Sequence, residues 1–361
     1  MAEAKRDLFA VDQRTHQDWR ARLVVVDRLA DWVCSNLDWE KREKHENPKE
    51  RRRKAYQYVH EHFIVGQMKQ PFEREDPLFT RAHYEDPSME NMLRSGMYPL
   101  FKARMHRELE WFDQEIVSCE NGARLTLIDV TAGVPPHTRK ILQGLEAELR
   151  QRHKEQDEKW YEDQLVGLVV RYRCMGVFSD NLHGSFPKSW AEHFPDCVEC
   201  FASPFNHKYE TYFSMFEADR VFGSNGCFFV YLAEREDMLP AGRYEINPPY
   251  INEVYDRIQQ ILRKSMAGSD AIQAIVGAPN WADADWYTEG FPSLLKIAGY
   301  SKRSFHTVID IEYVNDAMGQ RWNQPTAIWV YTTRAIPKSI LQKLHILPRQ
   351  ARSKQPEQHQ K

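Results

Sequence analysis

The chain has 361 residues, of which 42% are hydrophobic and 28% charged, with a formal net charge of −3. That composition is globular, is long enough for two cores, and excludes a global basic field that would pull in polyanions. No apolar run approaches the ~20 residues of a bilayer-spanning helix, and the opening MAEAKRDLFAVDQRTHQDW lacks the apolar core of a signal peptide, so a nuclear or cytoplasmic protein with no membrane partner is expected.

Only five of the sixteen glycines fall before position 165, which predicts a mainly helical first part, 1–164. Trp19, Leu23, Val26, Leu29, Val33 and Leu37 recur at helical spacing, and so do Ile141, Leu142, Leu145 and Leu149. Between them, the run KREKHENPKERRRK (41–54) mixes glutamates with its bases and reads as a solvated face or tether. Pro71, Pro77, Pro87 and Pro99 then mark a loop-rich stretch. The aromatics of this part, Trp19, Trp32, Trp39, Tyr56, Tyr58, Trp111 and Trp160, read as core.

From about Val166 the pattern changes to β-rich runs alternating with helical ones. Strands are predicted at Val198–Ala202, Cys227–Leu232, Tyr244–Ile246, Ala271–Val276, His306–Val314 and Ala327–Thr333, and helices at Lys208–Phe216, Ile251–Met266 and Pro292–Ala298. Alternation of this kind implies an α/β sheet covered on both faces, over 165–348. Leu165–Gly176 is ambiguous between helix and strand, and the polar tail 349–361 is expected to be disordered. Six cysteines at irregular spacing suggest reduced thiols. Cys197 and Cys200 form a C-x-x-C pair without a second closely spaced pair to complete a zinc site, so no metal is expected.

Asn247-Pro248-Pro249-Tyr250 stands between a predicted strand and a predicted helix, where ligands of open α/β sheets bind. Two prolines could simply mark a turn. They would also hold the Asn247 side-chain oxygen and the Pro248 carbonyl as fixed acceptors for an exocyclic amine, while Tyr250 offers a face for a planar base to stack on. That arrangement suits methylation of an aromatic amine, with Asn247, Pro248, Pro249 and Tyr250 as the catalytic set. The motif is shared by enzymes that methylate glutamine or guanine, but the glycine-rich loop those enzymes carry upstream is missing here.

With RYRCMG (171–176), ECFASPFN (199–206), FGSNG (222–226) and Asn247–Tyr250 in this order, the sequence resembles the phosphorylated-CTD-interacting-factor family of cap-specific adenosine N6-methyltransferases. The resemblance covers about Leu165 to Leu262, and more loosely the strands to Thr333. It implies a Rossmann-like domain that transfers a methyl from S-adenosylmethionine to the first transcribed adenosine of capped mRNA. It also implies that Phe201, Ala202, Ser203, Pro204 and Asn206 hold the methionine part of the cofactor and that Phe222, Gly223 and Ser224 border its adenosine part. Arg171 and Arg173 would face cofactor carboxylate or RNA phosphate, or else form salt bridges. An adenine pocket alone cannot read position in the RNA, so the helical part is expected to supply the RNA and cap contact, with Arg51, Arg52, Arg53, Arg104 and Arg107 as candidate phosphate contacts. Animal members carry an N-terminal WW domain that tethers them to RNA polymerase; none is legible here, so that tether is doubtful. The family is basic after its corresponding strand end, whereas this chain reads Val314-Asn315-Asp316.

Overall fold

The structure, a computed structural model, describes residues 28–36, 134–174, 184–250, 252–281 and 283–334, with isolated positions between 51 and 131 and at 336. Trp19, Leu23, Val26, Leu37, most of the 41–54 run including Arg52 and Arg53, the four prolines, Trp39, Tyr56, Tyr58, Trp111, Met175, Gly176 and the 349–361 tail lie outside the described residues. Of the first apolar stripe, residues 28–36 are helical, and Leu29 and Val33 are buried.

Helix α1 (Pro136–Arg152) starts with Pro136 in its first turn, where a missing N–H costs no intrahelical bond, and buries Leu142, Leu145 and Leu149. Helix α2 (Glu158–Cys174) runs through Leu165 and resolves the ambiguous Leu165–Cys174 stretch as helix. Its run Leu165, Val166, Leu168, Val169 and Val170 is buried all round, which is why no single helical stripe was visible there. A short helix α3 (Lys188–His193) leads into strand β1 (Cys197–Glu199). A 3₁₀ turn (Glu217–Phe222) and helix α4 (Phe228–Ala233) then precede strand β2 (Gly242–Ile246). Helix α5 (Asn252–Gly268) crosses to strand β3 (Ile272–Pro279). A π-turn (Trp286–Gly290) and helix α6 (Phe291–Leu294) come next, and a hairpin of strands β4 (Phe305–Asn315) and β5 (Gln320–Tyr331) completes the sheet.

The sheet order is β1-β2-β3-β5-β4. β1, β2 and β3 are parallel, and β5 runs antiparallel between β3 and β4. Beyond β1 the parallel succession continues through the single bridges Glu199↔Tyr212 and Ser214↔Cys227. Alternate strand residues face two cores, as a sheet covered on both sides requires. Tyr244, Ile246, Ala274, Val276 and Trp329 join the helices α1, α2 and α5 on one face, while Ile275, Ile328 and Val330 join Trp190 of α3 on the other. The result is an α/β fold with a mixed sheet.

Two predicted elements are corrected. Lys208–Phe216 is not a helix, because its backbone groups pair sideways: Phe213 N–H with Glu199 O at 2.8 Å and Ser214 N–H with Gly226 O at 2.9 Å. Cys227–Leu232 is not a strand but begins α4, with Phe228, Phe229 and Leu232 turned inward at helical spacing. A six-residue apolar run carries too little periodicity to separate the two. The predicted Pro292–Ala298 helix keeps only the single turn of α6.

Arg171, read from sequence as a ligand contact or a salt bridge, is turned inward. Its guanidinium donates to Asp219 Oδ1 at 2.9 Å, and Tyr172 donates to Asp219 Oδ2 at 2.5 Å, with the Arg171 and Asp219 side chains 4% and 0% exposed. The pair ties α2 to the 3₁₀ turn; Arg173 is exposed. Removing one partner of a buried pair leaves an uncompensated charge, so Asp219→Ala is expected to lower the unfolding free energy by about 3 kcal/mol or more, against about 0.5 kcal/mol or less for Arg173→Ala, in urea denaturation.

Candidate methyl-transfer site

β1 and β2 pair in register, Glu199 opposite Glu245, and the ladder continues one step further through Cys200 N–H to Glu245 O at 2.9 Å. The chain therefore leaves both strands at the same level. The segment Phe201–Asn206 begins at one exit and Asn247–Tyr250 at the other, side by side at the carboxyl ends of the parallel strands.

The Phe201–Asn206 segment is held by its own side chains. Asn206 Oδ1 accepts from Ser203 N–H at 2.8 Å and from Ser203 Oγ at 2.9 Å, and Phe205 N–H donates to Ser203 Oγ at 3.1 Å. Ala202, Ser203, Pro204, Phe205 and Asn206 are buried, and Phe201 is half-buried against Phe228 and Phe229. Asn206 thus shapes the turn, as glycines do in a glycine-rich loop, by satisfying its amides. Immediately after it, Lys208 and Tyr209 donate their backbone N–H groups to Glu199 Oε2 at 2.7 and 3.3 Å. Glu199 therefore closes the segment from the strand that precedes it.

Phe222-Gly223-Ser224 closes the 3₁₀ turn rather than following a named strand. Gly223 has φ +94° and ends the 3₁₀ turn, and a Cβ there would meet the Arg152 guanidinium at 2.9 Å. Ser224 Oγ donates to Ser214 Oγ at 2.9 Å, and Phe222 O accepts from Tyr212 OH at 3.1 Å. Tyr212 stacks on His207 at 4.2 Å, which connects this segment to the end of the Phe201–Asn206 turn.

Asn247 Nδ2 donates to Gly184 O at 3.2 Å, which fixes which end of the amide points where. Its Oδ1 is buried without a hydrogen-bond partner among the described residues. A Cβ on Gly277 of β3 would lie 3.2 Å from that oxygen and 2.4 Å from the Phe186 ring, so only glycine lets Phe186 and the Asn247 amide pack this close to the strand. Pro248 is buried; Pro249 and Tyr250 are half-buried. Tyr250 OH donates to Tyr313 OH at 2.7 Å, and the Trp281 and Tyr313 rings meet it edge-on at 6.4 Å. Among the described residues no ring stacks face to face on Tyr250. The sequence assigned its ring alone a task, whereas the hydroxyl also sets how the ring is held.

Residues 141–304 match the family model described as the WW domain of Phosphorylated CTD interacting factor 1. Over this segment the chain is similar to the phosphorylated-CTD-interacting-factor family. Two curated relatives, each named mRNA (2'-O-methyladenosine-N(6)-)-methyltransferase, are 33% identical (Mus musculus) and 32% identical (Homo sapiens) over 128 residues. The similarity covers 32% of this chain and 17% of each relative. The matched segment holds both strand-exit motifs, and every pair of named strands within it is parallel.

Several site residues went unread in the sequence. Gly184 and Phe186 bracket Asn247, Tyr313 takes the Tyr250 hydroxyl, and Glu199 and Glu245 lie buried side by side, 3% and 2% exposed. An acidic residue inside the apolar strand Tyr244–Ile246 was the available signal. Burial raises the Glu199 carboxyl to about 7 against the opposing pull of the Lys208 and Tyr209 amides, and it raises Glu245 well above its ordinary range, with Glu199 adding to it. Burial likewise lifts the Cys197 thiol to about 12 and keeps it protonated. Among the described residues no three His, Cys, Asp or Glu side chains converge on a metal position.

A carboxyl with a raised folded-state pKa stabilises the fold while protonated: for Glu199 that contribution is complete below 4.5 and lost as pH rises through about 7. Glu199→Gln keeps an acceptor for both amides and removes the charge. In urea denaturation its stability is expected to fall less than the native protein's between about pH 5 and about pH 8. An unchanged slope would contradict the assignment.

Proposed function

We propose that this protein is an S-adenosylmethionine-dependent N6-methyltransferase acting on the cap-proximal adenosine of mRNA, with a Rossmann-like catalytic domain. The observation that carries this reading is Asn247. It stands at the exit of β2 beside the Phe201–Asn206 turn, its Nδ2 anchored and its buried Oδ1 left to accept a hydrogen bond. An exocyclic amine supplies the matching N–H. The relatives' named activity, at N6 of a 2'-O-methyladenosine in mRNA, points to the same chemistry.

When bound, S-adenosylmethionine supplies an electrophilic methyl. The chain orients the nucleophile. Asn247 Oδ1 and the Pro248 carbonyl accept the two amine protons, which turns the nitrogen lone pair out of conjugation with the ring, and the rigid prolines keep that geometry at little entropic cost. The unstacked Tyr250 face takes the base, worth roughly 1–3 kcal/mol in comparable sites. The Phe201–Asn206 turn, with its amides already satisfied, would present a preformed backbone surface to the cofactor's methionine part; Phe222–Ser224 would border its adenosine part.

A pocket that reads adenine cannot by itself recognise position in the RNA, so a second contact must read the cap. The first 164 residues are the proposed source of that contact, and Arg51, Arg104 and Arg107 are the described members of its basic set.

Asn247→Ala is expected to abolish methyl transfer from labelled S-adenosylmethionine while cofactor affinity stays within a few-fold; near-normal turnover would refute the assignment. Full-length protein should prefer capped over uncapped adenosine-initiated RNA by about tenfold or more, with the preference shrinking as salt is raised. Equal rates on capped, uncapped and internal adenosines would remove the cap reading and leave adenine methylation standing.

A further inference from the structure

The hairpin β4–β5 is longer than the sheet needs. β3 pairs with β5 only from Thr326 to Tyr331, so Asp310–Asn315 and Gln320–Pro325 form a two-stranded ribbon that overhangs the exits of the parallel strands. One residue of that ribbon's turn holds residues next to both strand-exit motifs. Asp316 Oδ2 accepts from Lys208 Nζ at 2.6 Å and from Ser185 Oγ at 2.9 Å. We infer that Asp316 is a positioning residue that locks the Phe201–Asn206 turn and the Asn247 amide into one rigid unit. The inference rests on the function proposed above for those two motifs.

On the first side, Lys208 is the residue whose backbone N–H is taken by Glu199, so Asp316 holds its side chain while Glu199 holds its backbone, just past the turn. On the second, Ser185 pairs with Val314 through two backbone bonds, at 3.0 and 3.2 Å, beside the Ser185–Asp316 bond. Gly184, one residue earlier, carries the carbonyl that anchors Asn247 Nδ2. Gly184 is also pressed flat, since a Cβ there would meet the Trp322 ring at 2.8 Å and Tyr313 at 3.0 Å. The route Glu199–Lys208–Asp316–Ser185–Gly184–Asn247 is thus continuous from one motif to the other.

A brace must itself be fixed. The Asp316–Gly319 turn is held from outside the sheet, because buried Thr138 of α1 donates to Ala317 O and His137 packs against Gly319. Lys208 and Asp316 are 15% and 25% exposed, so their attraction is less screened than that of a surface pair.

The test compares full-length Asp316→Ala, Asp316→Asn, Lys208→Met and Ser185→Ala, together with the double variants. It measures S-adenosylhomocysteine affinity, kcat and KM on capped adenosine-initiated RNA, and amide hydrogen exchange of the unliganded protein. Lys208→Met is expected to weaken S-adenosylhomocysteine binding and Ser185→Ala to lower kcat, each by about fivefold, while Asp316→Ala does both. Adding either substitution to Asp316→Ala should then change nothing further. Asp316→Asn keeps an acceptor for Ser185 and should follow Lys208→Met; it also serves if the alanine variant does not fold. In the unliganded protein, exchange at the Ser185 and Lys208 amides should accelerate together in Asp316→Ala, and at the Lys208 amide alone in Asp316→Asn. Additive effects, or unchanged protection at either amide in Asp316→Ala, would overturn the brace. A native protein that binds no S-adenosylhomocysteine would instead overturn the cofactor reading, and the exchange measurement would still decide the brace.

Discussion

The in-register pairing of β1 with β2 is the constraint on which the rest of the site depends. Glu199 faces Glu245, and the bond from Cys200 N–H to Glu245 O carries the ladder one step past the end of β1. A shift by one residue would turn every side chain to the opposite face of the sheet and displace one exit relative to the other. With the register fixed, two short motifs separated by some forty residues of chain emerge as neighbours, and each can be simple because the other is near.

That register also forces two carboxyls into the interior. Glu199 uses its position: one oxygen takes the Lys208 and Tyr209 amides and closes the turn that a glycine-rich loop closes in other α/β sites. Glu245 has an oxygen with no hydrogen-bond partner among the described residues, as does the Asn247 side chain two positions later on the same face. Buried polar atoms left in this state cost free energy wherever they lack a function. Their clustering near the strand exits, where Phe186 packs tightly on Gly277, is what separates this end of the sheet from an ordinary packed edge.

Tertiary packing then builds outward. The overhanging hairpin supplies Tyr313 to the Tyr250 hydroxyl and Asp316 to Lys208 and Ser185, and α1 clasps the hairpin turn through Thr138. Elements distant in sequence thus converge on one small volume, so the rigidity of the site depends on long-range contacts more than on its own loops.

The sequence by itself determined the elements whose signal is local and long. Strands β2 to β5 and helices α1 and α5 follow from periodicity, and Asn247-Pro248-Pro249-Tyr250 declares itself through residue types with fixed backbone demands, whereas the Phe201–Asn206 turn is marked only by the family resemblance. Short apolar or mixed runs escaped it: Cys227–Leu232 became α4, and Lys208–Phe216 became an extended edge, because in six to nine residues lateral pairing outweighs propensity. Only the tertiary structure decided that Arg171 faces Asp219, that Gly184 anchors the Asn247 amide, and that Asp316 reaches Lys208 across 108 positions. Those choices depend on which distant side chains arrive at the same place, and no local pattern of residues encodes that arrival.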